Sequence, residues 1–294
     1  MEIQSENQAR RRLINLIHQV KADLGIPSTP EYHGVDDPVA KALGIKVEER
    51  NLSVSDGEYL QAQPPSLLQP VIIIDPMRGD IERKNFTFFH EITHHLIRED
   101  DELYSFLNEY AFGKDFDDVL ERFCHLGAAE FLVPSQDVRR LIDQQGFRIT
   151  LIEELDHRYR ASKPAIAIQL AQCASHECFV LVCDYGFPPI KANQQAPLLT
   201  TQPSTTPQLY IQYSARSPSV AKYSVARFTK IPKDHLLSFC FENKKPVRGR
   251  APIPFRGQTL WECGAEAFFY LSKVYAAFHI KPPPQPPSLQ PRLF

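Results

Sequence analysis

The sequence predicts an α+β protein built from more than one compact unit, and three observations carry that prediction. At 294 residues the chain exceeds the usual single-domain size. Its composition, 43% hydrophobic and 23% charged, is that of an ordinary globular protein. Helical apolar spacing and short strand-like runs occupy different stretches, so the periodicity changes several times along the chain.

The first helix is expected over Ala9 to Leu24, where Leu13, Leu16, Ile17, Val20 and Leu24 follow i, i+3, i+4, i+7 spacing until Gly25 and Pro27 stop it. From about Gly44 to Asp75 short β-rich pieces predict a small sheet: Ile45 to Val47, a turn signal at Asp56-Gly57, and Val71 to Ile74 closed by Asp75-Pro76. Helical character returns at Thr87. After an acidic stretch read as irregular, a second helix is expected from Phe116 to Leu132, ended by Pro134. Ser135 can cap a further short helix, and Leu151 to Tyr159 and Pro164 to Cys173 form a helical pair. Strand character resumes at Cys178.

Residues 188 to 207 are rich in Gln, Pro, Thr and Ser and read as a long loop. Gln208 to Tyr213, Tyr223 to Phe228 and Leu237 to Phe241 are expected as strands, and Glu262 to His279 as a helix followed by a strand or as one longer helix. The tail from 281 is proline-heavy. The expected division is 1–134, a helical region 135–176, a last domain 177–280 and the tail 281–294.

A formal net charge of -2 excludes the broad positive field of a dedicated nucleic-acid binder. No apolar run approaches the length of a membrane span. The N-terminal residues lack the long apolar segment of a secretory signal, which points to the cytoplasm. Six scattered cysteines are expected as reduced thiols rather than a disulfide framework.

Phe88-Phe-His-Glu-Ile-Thr-His-His95 holds an H-E-x-x-H pattern in a helical window. Residues four apart on a helix sit about 40° apart in azimuth and about 6 Å along the axis, so His90 and His94 present their imidazoles to one point. Zinc accepts such nitrogens, and a catalytic site needs a third protein ligand and an open position. Glu91, turned about 100° from His90, is suited to act as general base on water at that position. For the third ligand the next helix offers Asp117, Asp118, Glu121 and Glu130, and spacing leaves the choice among them open.

The segments Phe86-Thr-Phe-Phe-His-Glu-Ile-Thr-His94 and Glu121-Arg-Phe-Cys-His-Leu-Gly-Ala-Ala-Glu-Phe-Leu-Val-Pro134 resemble the ImmA/IrrE metallopeptidases, and among them the IrrE type of radiation-response regulator. The resemblance implies that Glu121, 27 residues beyond His94, is the third metal ligand of a gluzincin-like metalloendopeptidase using Zn2+, with Mn2+ as the alternative. It implies a zincin-like domain, a helix-turn-helix-like region over Leu151 to Cys173, and a GAF-like α/β domain carrying Tyr210 to Ala215, Lys222 to Ser224 and Pro254 to Arg256. It also implies site-specific cleavage of a helix-turn-helix repressor of the DdrO type, which would release DNA-damage or stress-response genes. Phe89 and His125 depart from the family pattern, which commonly has a small residue and an asparagine there. The competing expectation is a regulator without peptidase activity, binding DNA or protein through the helical pair and keeping a structural metal.

His95 is expected outside the ligand set. Cys173, His176 and Cys178 carry soft ligands without a fourth partner nearby. His125, Tyr104 and Tyr110 are candidate donors to an oxyanion. Arg158, Arg160 and Lys163 add local positive charge to the helical pair, and Lys244, Lys245, Arg248, Arg250 and Arg256 form a basic stretch.

Overall fold

Ala9, Leu13 and Ile17 are fully buried on one face of α1 (Glu6–Asp23), whose start is fixed by the Ser5 hydroxyl accepting from the Gln8 amide. The computed structural model describes residues 3–111, 116–188, 206–220, 223–255 and 261–281. Its contacts divide the chain into two units, Met1–Asp137 with Leu155–Gln169, and Val138–Glu154 with Leu170–Phe294.

In the first unit, Asp37 is buried and caps the short α2 (Pro38–Ala42), accepting from the Val39 and Ala40 amides. The small mixed sheet has strands β1 (Lys46–Glu49), β2 (Gly57–Leu60) and β3 (Val71–Ile74) in the order β1-β3-β2. β3 pairs parallel with β1 and antiparallel with β2. All four residues of this central strand are buried, which explains its unbroken apolar run. Gly57 begins β2 rather than forming the expected turn.

α3 (Ile81–Glu99) starts at the Asp80 cap, six residues before the expected Thr87, and packs against β2, β3 and α5 (Phe116–Leu132). The acidic stretch expected to be irregular is instead α4 (Asp101–Tyr110): Asp100 caps it through the Leu103 amide, and Leu103 and Leu107 are buried. Phe89 is buried and stacks on Phe131 of α5, ring centroids 4.9 Å apart.

α6 (Ser135–Gln145), α7 (Leu151–Arg158) and α8 (Lys163–Cys173) follow the expected order, and each contributes residues to both units. Ser162 caps α8 by accepting from the Ala165 amide. Arg160 pairs with Glu31 at 2.6 Å, and Lys163 with Asp156 at 3.1 Å and Glu82 at 3.5 Å, so these cations of the helical pair have carboxylate partners.

The second unit holds an antiparallel sheet in the order β5-β4-β8-β7-β6: β4 (Cys178–Gly186), β5 (Gln208–Arg216), β6 (Val247–Pro252), β7 (Glu262–Tyr270) and β8 (Lys273–His279). One face carries the core with Phe179, Leu181, Ile211 and Phe278. The other bears His279 and Glu266, with Phe147 edge-on to His279. Three sequence expectations fail here. Leu237 to Phe241 lies in a helix, α9 (Leu236–Asn243); Tyr223 to Phe228 is irregular; and Glu262 to His279 is the β7-β8 hairpin, turning at Leu271 and Ser272, both at positive φ.

Of the basic stretch, Lys244 lies over Phe241 and Phe269, Arg248 and Arg250 approach Glu266 and Glu262, and Arg256 falls outside the described residues. So do Lys222, nearly all of the 188–207 loop and the tail beyond 281. All six cysteines are buried, and none forms a disulfide. Among the described residues no helix is long and apolar enough to cross a membrane.

Candidate metal centre

The α3 helix carries His90, Glu91 and His94 into the first unit because its apolar face, with Phe88, Phe89, Ile92, Leu96 and Ile97, is buried between the small sheet and α5. α5 crosses it closely because Gly127 has no side chain: a Cβ there would lie 2.5 Å from the Thr93 hydroxyl oxygen. Six residues earlier on α5, Glu121 faces the two imidazoles. Its Oε2 is 3.2 Å from His90 Nε2 and its Oε1 3.2 Å from His94 Nε2, and the two Nε2 atoms are 3.2 Å apart.

Among the described residues, His90, His94 and Glu121 form the single group of three or more His, Cys, Asp or Glu side chains close enough to share one ion. One ligand atom from each residue lies within 4.8 Å of the others, close enough for all three to reach one cation. The donor set of two imidazoles and a carboxylate fits zinc and leaves one position open.

Burial lowers the His90 pKa, and hydrogen bonds from both imidazoles hold the Glu121 carboxyl well below the usual carboxylate range. Glu91 is buried at 5% exposure, and its pKa is pushed up to about 8 by burial and by the charges of Glu121 and Glu58. A cation among the three ligands would oppose that rise.

The other three acids offered by spacing differ in place. Glu130 is fully buried, accepting from His18 Nε2 at 2.7 Å, Ser135 N at 3.1 Å and Gln169 Nε2 at 2.6 Å. Asp117 and Asp118 lie in the first turn of α5 and are not grouped with the imidazoles. His125, one turn after Glu121, sits with its ring 4.8 Å from that of His90, and its Nδ1 donates to the Glu121 carbonyl. Tyr110 donates to Glu6, and Tyr104 accepts from Arg98. His95 Nδ1 meets the Tyr59 hydroxyl at 3.1 Å, away from the ligand set as expected. Cys173, His176 and Cys178 are not brought together as a ligand group.

Sequence reasoning missed the strand beside the centre. β2 approaches α3 so closely that a Cβ at Gly57 would lie 2.5 Å from Thr87 Cγ2 and 3.0 Å from Glu91 Oε1. Tyr59 stacks parallel to His94 with ring centroids 6.4 Å apart. Beyond it a cavity of about 400 Å³ is lined by Tyr59, Leu60, Gln61, Gln63, Leu67 and Arg98. Arg98 continues the His90, His94 spacing by one more turn, which was the available signal.

Residues 40–171 match the family described as peptidase M78, IrrE N-terminal-like domain. The match covers 132 of the 294 residues (171 − 40 + 1). Two curated relatives described as radiation response metalloprotease IrrE are similar to the chain. That of Deinococcus radiodurans is 27% identical over 201 residues, covering 68% of this chain and 60% of its own length. That of Deinococcus deserti is 26% identical over 197 residues, covering 67% of this chain and 66% of its own. The chain thus spans less than two thirds of each curated relative. A solved structure, a Mycobacterium tuberculosis transcriptional regulator, matches with a TM-score of 0.55 over 92% of this chain and 76% of that one at 14% identity, a likeness of fold alone. The matched segment includes every residue of the His90, His94, Glu121 and Glu91 constellation.

Proposed function

We propose that the protein is a metal-dependent endopeptidase in which His90, His94 and Glu121 hold a divalent cation and Glu91 is the general base. The observation that carries this proposal is the convergence of three metal-ligating side chains beside a buried carboxylate that belongs to none of them. A purely structural cation has no use for such a base.

A divalent cation bound there would supply Lewis acidity, polarising the scissile carbonyl and acidifying a water molecule. Glu91 takes the proton of the attacking water as its oxygen bonds to the carbonyl carbon. Glu91 then passes that proton to the amide nitrogen as the carbon–nitrogen bond breaks. β2 pairs only with β3 among the described residues, so its free edge can receive an extended substrate through main-chain hydrogen bonds.

Zinc is the preferred cation, and the substrate is a helix-turn-helix repressor of the DdrO kind, whose cleavage would release stress-response genes. The GAF-like character of the last domain, a sensing role for it and a cytoplasmic location belong to the same proposal; six cysteines outside any disulfide support a reducing compartment. The carboxylate partners of Arg160 and Lys163 argue against giving the DNA-binding alternative precedence.

The test is incubation of the purified protein with zinc or manganese and the helix-turn-helix repressor encoded beside its gene. A cut product that disappears with Glu91→Gln is expected. A product that persists in that variant, or none with either metal, would overturn the proposed mechanism.

A further inference from the structure

Arg98 lies on α3 one turn, about 6 Å, beyond His94, and its position continues the spacing of the two imidazoles. Its side chain is half buried in the wall of the cavity at the end of β2. There Nη1 donates to Gln61 Oε1 at 3.2 Å and to the Tyr104 hydroxyl at 3.4 Å, and the guanidinium lies 5.4 Å from the Tyr104 ring centroid. Nε is buried with no hydrogen-bond partner among the described residues. Among the other half-buried cations of this unit, Arg10, Arg78 and Lys163 each have carboxylate partners, while Lys21 donates to the Phe131 carbonyl. No described aspartate or glutamate forms an ion pair with Arg98, whose only partners are neutral.

A guanidinium in an open cavity with no counter-ion among the described residues is a fork for a carboxylate supplied from outside. Gln61 and Gln63, lining the same cavity, can add amide donors. The strand fixes which part of a substrate arrives there. Along β2 the chain runs from Gly57, against Glu91, past Tyr59, against His94, toward Gln61 at Arg98. A peptide added antiparallel to that edge runs the opposite way and reaches the Arg98 cavity before it reaches the metal centre. At about 3.3 Å per residue, one helical turn corresponds to two residues of extended chain.

We propose that Arg98, with Gln61 and Gln63, is a specificity subsite that reads an aspartate or glutamate side chain about two residues to the amino side of the scissile bond. It rests on the peptidase proposal above for its place relative to a cut, but not for its affinity. A terminal carboxylate cannot occupy that position, because the chain must continue to the cut.

Two measurements test it. The first exposes the zinc-loaded protein to a chymotryptic peptide library, which keeps internal acidic and basic residues, and maps new termini by mass spectrometry, with Glu91→Gln as the blank. Glu91-dependent cuts should be enriched severalfold in Asp or Glu at one fixed amino-side position, and the enrichment should vanish in Arg98→Gln while cutting continues. Arg98→Glu should turn the preference toward Lys or Arg. Absence of Glu91-dependent cuts would count against the peptidase proposal and leave the subsite to the second measurement. Cuts with no acidic preference, or one unchanged in Arg98→Gln, overturn the subsite.

The second titrates the zinc-loaded Glu91→Gln protein with the blocked hexapeptide Ac-Ala-Glu-Ala-Ala-Ala-Ala-NH2 and its Gln counterpart. The Glu peptide should bind about tenfold more tightly, as a charge-assisted bond allows, and the difference should disappear in Arg98→Gln. Equal affinities, or no binding of the Glu peptide, overturn the subsite whether or not the protein cleaves anything.

Discussion

Gly127 of α5 and Thr93 of α3 form a matched contact at the helix crossing: a Cβ on Gly127 would meet the Thr93 side chain at 2.5 Å or less. Thr93 lies between His90 and His94, and its hydroxyl is already committed to the Phe89 carbonyl at 2.7 Å. The separation of the two helices therefore sets how near Glu121 comes to the imidazoles. Gly127→Ala should destabilise the first unit by about 1–3 kcal/mol through overpacking. It should also weaken zinc binding, read by chelator competition. Adding Thr93→Ala should restore much of both losses, a non-additivity that a double-mutant cycle measures.

The three proposed ligands make a second prediction. The wild-type protein should bind one zinc per chain, and zinc at a hundredfold excess over its dissociation constant should add about 2.7 kcal/mol of stability. His90→Ala, His94→Ala and Glu121→Ala should each abolish that thermal shift. Retention of tightly bound zinc by His90→Ala would place the metal elsewhere.

Glu130 is fully buried and reached by His18, Ser135 and Gln169. Burial alone would raise its pKa, but these hydrogen bonds outweigh it and hold the carboxyl below its ordinary value. Its contribution to stability is present above the unfolded carboxyl pKa, about 4.3, and is lost as pH falls through the folded one. Glu130→Ala should cost about 2–4 kcal/mol in denaturant unfolding at neutral pH, because it strands the donors around it.

In the second unit, His176 Nε2 meets His279 Nδ1 at 2.9 Å, and Phe147 packs edge-on to both rings. Burial and then the neighbouring His279 push the His176 pKa down to about 4. A histidine so depressed favours folding above its unfolded pKa, about 6.5, and that contribution is lost as pH falls toward 4. Calorimetry should show this unit losing up to about 3 kcal/mol between pH 6.5 and 4. A His176→Phe variant should show a flatter dependence.

Much of the metal-bearing unit was legible because its signals are local. α3 and α5 are long and amphipathic, and the H-E-x-x-H spacing places two imidazoles on one face whatever surrounds them. Spacing left Glu130 and Glu121 as equals; only tertiary packing sends one to His18 and the other toward His90. In the second unit local signals misled. Leu237 to Phe241 is too short an apolar run for its period to distinguish helix from strand. Ala265, Ala267, Ala276 and Ala277 favour helix in isolation, yet all four are buried in paired strands, where cross-strand partners overrule propensity. α4 was hidden by its acidic residues, although Asp100 is a proper cap for it.

The buried thiols have a practical consequence. Desolvation raises the pKa of Cys178 to about 12 and of Cys240 and Cys263 to about 11, and carries Cys124 well above its ordinary value. At neutral pH an alkylating reagent therefore finds almost no thiolate until the surrounding structure opens. Cys124 belongs to the unit with the imidazoles and the other five to its companion. Timed labelling read by peptide mass would then clock the breathing of each half separately, in one tube and without an engineered probe.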